Sequence, residues 1–311
     1  MSTVIETHRL TKRYGSARGI EELDLTVQQG EVFGFLGPNG AGKSTTIRTL
    51  LDLQRPTAGE ARVLGLDIHR DSVAIRRRTG YLPGDLHLFE HLTGAEHLRW
   101  FSRARDGRRP TAADALVERF SITMDRPVRE LSKGNRQKVG VLLAFAHEPE
   151  LLVLDEPTSG LDPLVQAEFD DLLRETVGDG RTVLLSSHSL DEVQRVADRV
   201  AIIREGRLVV TDTVEHLRAD APRLMTLTFA GEFDASRFAR LPGVAEASRH
   251  DGRVHLRLSG DVAPVLTEAL AQGVTDLTAR HADLDELFLS YYRDDTTAPN
   301  DTTTPNDRGA P

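Results

Sequence analysis

The chain has 311 residues, 39% of them hydrophobic and 28% charged, which is enough for one large domain and a smaller one with a core in each. Cysteine is absent, which excludes a disulfide framework and thiolate chemistry and fits a reducing compartment. The net charge of −9 argues against nucleic acid as the main ligand; no run approaches the ~20 apolar residues of a membrane span, so a role at a membrane has to pass through a partner.

The N-terminal MSTVIETHRL has neither the basic nor the apolar region of a signal peptide. Residues 4–10 and 20–27 alternate like two antiparallel strands. Residues 31–36 (EVFGFL) are short, apolar and β-prone, and 45–52 (TTIRTLLD) have helical spacing. Between them stands GPNGAGKS, residues 37–44, a complete G-x-x-x-x-G-K-S phosphate-binding loop in the strand–loop–helix context it requires. Gly37, Gly40 and Gly42, with Pro38, Asn39 and Ala41 between them, let the backbone wrap a polyphosphate, and the following helix turns its positive end toward the same anion. Lys43 adds a point charge for the β- and γ-phosphates, Ser44 offers a hydroxyl to Mg²⁺, and Thr45 opens the helix beside them. A chain with this loop is expected to bind a nucleoside triphosphate.

Residues 59–64 resemble another short strand. From about 88 to 146 the pattern is helical, with apolar residues three and four apart in 116–120 (LVERF) and 139–145 (VGVLLAF). Two buried-strand runs follow, 151–154 (LLVL) and 182–185 (TVLL), with a helix between them at about 163–176. Strands alternating with helices predict a parallel α/β core. Asp155 and Glu156 emerge at the C-terminal end of the first run, where ligands bind in open α/β sheets. Asp155 there suits Mg²⁺, directly or through water, and Glu156 suits a general base for the attacking water.

With these motifs in order, and residues 131–138 (LSKGNRQK) between them, the chain resembles the nucleotide-binding subunit of ABC transporters. Leu131, Ser132 and Gly134 match the family's LSGGQ signature; Lys133 and Asn135 depart from it. The resemblance implies that Ser132 and Gly134 close on the ATP held by an opposite subunit, so that the working form is a homodimer on ATP binding. It makes Ser159–Asp162 (SGLD) the loop at the dimer seam and His188 a γ-phosphate contact. Tyr14 matches the aromatic that stacks on adenine; a strand residue facing core or solvent is the alternative. The family's glutamine between core and helical lobe is missing: Gly84 takes its place, and Asp85 is the nearest polar residue. Trp100 is expected in the core of the helical lobe. The basic stretch 103–109 reads as a solvated loop between helices, since aromatics are not interleaved with it.

After residue 211 the texture changes. Residues 224–229 and 254–258 alternate like strands with one solvated face, while 261–271 and 283–292 read as helices. Residues 294–311 hold four Asp and one Arg, repeat TTAPND as TTTPND, and have the composition of a disordered tail. The expected organisation is an ABC ATPase domain at 1–220 with its helical lobe at about 88–146, a small α+β accessory domain at 221–293, and the tail. The resemblance covers roughly 4–220. It implies ATP hydrolysis that drives export through a separate multi-helix membrane permease, of the antibiotic and multidrug type, at the cytoplasmic face of the membrane. A soluble ABC ATPase acting on ribosomes or DNA, or a non-hydrolysing scaffold, are the alternatives. The second of two cassettes or the long coiled coil that the former needs is not visible here.

Overall fold

The computed structural model describes residues 2–281 apart from 16, 106, 108 and 221. The chain divides into two compact units, Met1–His216 and Leu217–Pro311. The first unit opens with β1 (Thr3–Tyr14), β2 (Ala17–Leu23), β3 (Thr26–Gln28), β4 (Val32–Leu36), α1 (Lys43–Leu50), β5 (Ala58–Val63), β6 (Leu66–Asp67), α2 (Ser72–Arg78) and β7 (Thr79–Leu82). A helical stretch follows: α3 (Gly94–Arg105), α4 (Ala113–Arg119), a 3₁₀ turn at Val128–Glu130, and α5 (Lys133–Phe145). The chain then returns through β8 (Leu151–Asp155), α6 (Pro163–Gly178), β9 (Thr182–Ser187), α7 (Leu190–Val196), β10 (Arg199–Arg204), β11 (Arg207–Thr213) and α8 (Val214–Asp220).

Two sheets result. The central one has the order β11-β10-β4-β9-β8-β7, parallel except for β11. Every residue of β4, β8 and β9 is buried, as the continuous apolar runs predict for strands covered on both faces. The other sheet is antiparallel, order β2-β1-β5-β6, with β3 also on β1. The single strand expected at 20–27 is broken in two. At the break, Asp24 Oδ1 accepts the backbone N–H of Arg9 at 2.7 Å, so a side chain replaces the ladder there. Phe33, Phe35, Ile47, Leu151, Val153 and Leu184 belong to one buried cluster that joins the sheets through α1.

Trp100 departs from expectation. It is 62% exposed, because α3 buries Gly94, His97, Leu98 and Ser102, and at about 100° per residue position 100 falls on the opposite side from 98.

The second unit runs β12 (Arg223–Phe229), α9 (Ala235–Phe238), β13 (Val244–His250), β14 (Arg253–Leu258), α10 (Ala263–Ala271) and β15 (Val274–His281). Its sheet is antiparallel in the order β13-β14-β12-β15, a split βαβ arrangement. Alternate residues of β12 (Met225, Leu227, Phe229) and of β14 (Val254, Leu256, Leu258) pack with Phe238 and Val265. The helix expected at 283–292 and the tail at 294–311 lie outside the described residues.

Candidate nucleotide site

The loop 37–42 joins the buried strand β4 to α1, and its shape is dictated by close approaches. A Cβ on Gly37 would stand 2.5 Å from the carbonyl oxygen of Ile203. Gly42 takes φ 116° as the N-cap of α1, without a side-chain cap, so the first backbone N–H groups of that helix have no internal acceptor. They face an open cleft of about 220 Å³, lined by residues 38–40 and 42–45 together with Gly19 and Glu156.

Lys43 is only 6% exposed. Its Nζ donates to the carbonyl oxygens of Gly37 at 2.5 Å and Pro38 at 3.4 Å, and lies 3.4 Å from Glu156 Oε1. The lysine is thereby held in an extended reach along the loop. Ser44 and Thr45, both half-buried, follow on the cleft wall.

Asp155 and Glu156 arrive at the C-terminal end of β8, which the register Asp155↔Ser186 aligns with the end of β9. Asp155 is buried, and its Oδ1 accepts a hydrogen bond from Ser186 Oγ. Burial, reinforced by the Asp155 charge, pushes the Tyr81 phenol on neighbouring β7 upward, so that group stays neutral. Glu156 turns away from the strand with φ 51°. Its Oε2 accepts from His188 Nδ1–H at 2.5 Å, while Oε1, facing Lys43, is buried and accepts no hydrogen bond. Lysine, glutamate and histidine thus form a chain at one end of the cleft. His188 itself is exposed.

Of the remaining sequence candidates, Tyr14 reaches the rim of the cleft and Ser132 and Gly134 stand apart from it. Tyr14, 47% exposed at the end of β1, donates its hydroxyl to Gln54 Oε1 at 2.6 Å. Its ring lies over Gly19, where a Cβ would meet Cε2 at 3.0 Å, which brings it to the rim of the cleft through that glycine. Ser132 and Gly134 sit at the start of α5 and do not line this cleft. Ser132 is the N-cap and accepts the Asn135 backbone N–H at 3.2 Å. Gly84 lies beside the acidic pair: a Cβ there would be 3.3 Å from Asp155 Cγ and Oδ2.

Sequence reasoning misses three supports. Ser186 holds Asp155, and Glu192 accepts from both Thr158 and Ser187 beside His188. Gln137 donates to the Pro157 carbonyl at 2.7 Å. A lone polar residue next to a motif is the only signal any of them gives.

A phosphate loop feeding a helix, an acidic pair at the end of the adjoining parallel strand, and an antiparallel sheet beside them define a P-loop ATPase core. A family model described as ABC transporter matches residues 20–159. The chain is 38% identical to a daunorubicin resistance ATP-binding protein of Streptomyces coeruleorubidus, over 94% of this chain and 97% of that one. It is also 38% identical to a bacitracin transport ATP-binding protein of Bacillus licheniformis, over 70% and 72%. A solved ATP-binding subunit of an ABC transporter superposes with a TM-score of 0.65 at 32% identity, covering 70% of this chain and 92% of that one. A dimeric bacterial ABC transporter cassette shares the fold, with a TM-score of 0.62 at 23% identity over 68% and 98%. This chain belongs to the ABC transporter family as an ATP-binding subunit, and it is an ATPase.

Proposed function

We propose that the chain powers export of a drug or antibiotic through a separate membrane permease, as the nucleotide-binding half of an efflux system. The observation that carries this reading is the match to the daunorubicin resistance protein across nearly the full length of both chains, second unit included. Among the described residues no helix is long and apolar enough to cross a membrane. As the partner of a permease the chain would lie at the cytoplasmic face, held there by that permease. Residues 1–220 act as the motor and 221–293 as an accessory domain.

In the site, the loop 37–42 and the first N–H groups of α1 hold the phosphates, and Lys43 shifts from the Glu156 carboxylate to the β- and γ-phosphate oxygens. Glu156 then takes a proton from the attacking water, and His188, hydrogen-bonded to the same carboxylate, orients it and contacts the γ-phosphate. Ser44 Oγ on the cleft wall and the Asp155 carboxylate at the end of β8 would hold Mg²⁺, since both offer the oxygen donors that ion takes. Bound there, the ion would neutralise charge that develops on the phosphates. Tyr14 stacks on the base. Ser132 and Gly134, outside their own cleft, serve the cleft of a second copy. Two copies would therefore sandwich two ATP molecules, as suits a chain that shares its fold with a dimeric cassette. Phosphate release by the full chain, measured with and without a co-expressed permease, tests the reading. Stimulation by the permease and export of a drug or antibiotic support it; turnover indifferent to any permease contradicts it.

A further inference from the structure

The backbone at Glu156 is held in the left-handed region, φ 51°, a conformation that a residue with a Cβ keeps only where its surroundings enforce it. On one side the Glu156 N–H donates to Ser186 O at 3.1 Å, which ties it to the sheet. On the other side the chain curls at once. The Ser159 N–H donates to Glu156 O at 3.3 Å and the Leu161 N–H to Thr158 O at 3.0 Å.

This turn is gripped from α5, at two points one helical turn apart. Gln137, 6% exposed, donates its amide to the Pro157 carbonyl at 2.7 Å. Lys133, four residues earlier and so on the same face of the helix, donates Nζ to Ser159 Oγ at 3.1 Å. Its aliphatic stem lies along Gly160, where a Cβ would come within 3.0 to 3.2 Å of three of its carbons. Between the two, Gly134 meets the Gly160 carbonyl so closely that a Cβ would stand 2.8 Å from the oxygen. A glycine at position 133 would supply neither the ammonium nor the stem.

We infer that Lys133 and Gln137 are positioning residues that staple the helical lobe to the turn following Glu156 and so set where that carboxylate stands over the phosphate cleft. Neither touches the cleft. A shift of α5 pulls on residues 157–160, and Glu156, already disfavoured in φ, is the hinge that yields. The lobe thereby sets turnover without a contact to the nucleotide bound in the same subunit. The inference rests on Glu156 being the general base.

The test uses the full chain with Gln137→Leu, Lys133→Met, Lys133→Arg, Ser159→Ala and Glu156→Gln, reading kcat and affinity for a fluorescent ATP analogue. Gln137→Leu should lower kcat about tenfold or more, since small misplacement of a reacting group is costly, with affinity for the analogue kept within about twofold. A fall in kcat with affinity kept is what misplacement of the carboxylate gives, whereas loss of folded protein would remove binding sites as well. Lys133→Met should lower kcat about threefold and Lys133→Arg should restore it. The double variant Lys133→Met/Ser159→Ala should be no slower than either single one. Wild-type kcat in Lys133→Met, or additive losses in the double variant, would overturn the staple. Those two readings also decide the matter if Gln137→Leu does not fold, because Lys133 is exposed. Wild-type turnover by Glu156→Gln would instead remove the base assignment itself. An inactive Glu156→Gln beside fully active staple variants would remove the staple alone.

Discussion

Lys43 is a buried ammonium whose nearest oxygens are two loop carbonyls and one carboxylate. Such a charge is costly to keep and strong once paired. Lys43→Ala is therefore expected to weaken ATP binding about a hundredfold or more, measured by titration with a fluorescent analogue. Glu156→Gln keeps the shape of the site and should bind normally while kcat falls by roughly 10² to 10⁴, since the amide accepts no proton. His147 sits outside this machinery and gives a pH signature of its own. Burial, with Arg105 nearby, lowers its imidazole from 6.5 to about 4, against a smaller opposing effect from the Thr79 backbone. The folded state then binds fewer protons than the unfolded state between those values. Its contribution is complete above pH 6.5 and is lost as the pH falls toward 4. The urea midpoint should drop across that window, and His147→Gln should flatten the slope; an identical slope in the variant would contradict this. Residues whose chemistry is written in contiguous motifs, 37–44 and 155–156, are legible in the sequence. Ser186, Glu192 and Gln137 are not, because each reaches a partner 20 to 34 residues away.

At the scale of elements, the buried strands β4, β8 and β9 and the helices α1 and α6 are legible from continuous apolar runs and helical spacing. Strands β7, β10 and β11 are less so. β7 is four residues long and includes a glycine, and β11 alternates half-buried with exposed residues at a sheet edge. The segment after Gly84 continues from β7 beside Asp155. Leu86 is turned inward: a Cβ on Gly140 of α5 would stand 2.6 Å from its Cδ2. Phe89 points out, 69% exposed, its N–H donating to His97 Nε2 at 2.9 Å. Phe89 is thus the exposed apolar side chain of this segment, and the one proposed to meet the permease. Phe89→Asp should leave hydrolysis by the isolated chain within about twofold and abolish its stimulation by the permease. Leu86→Asp, which places a carboxylate against α5, should lower the melting temperature of the first unit. Because the chain has no cysteine, a single one introduced at exposed Asp85 or His87 reports crosslinking to a permease loop without background.

For the whole molecule, the two units pose different problems. The sheet of the second unit rests on alternation in β12 and β14 that is visible in the sequence, whereas β13 and β15, more polar and more exposed, are not. In the first unit the signature turn and the phosphate cleft are separate surfaces of one chain, since Ser132 and Gly134 do not line the cleft that Lys43 and Glu156 share. A second copy is the simplest way to bring them together. Sedimentation of the Glu156→Gln chain with and without saturating Mg-ATP tests this most directly. A monomer is expected without nucleotide and a dimer with it, and Ser132→Glu should prevent the dimer. A species that stays monomeric at saturating Mg-ATP would contradict it.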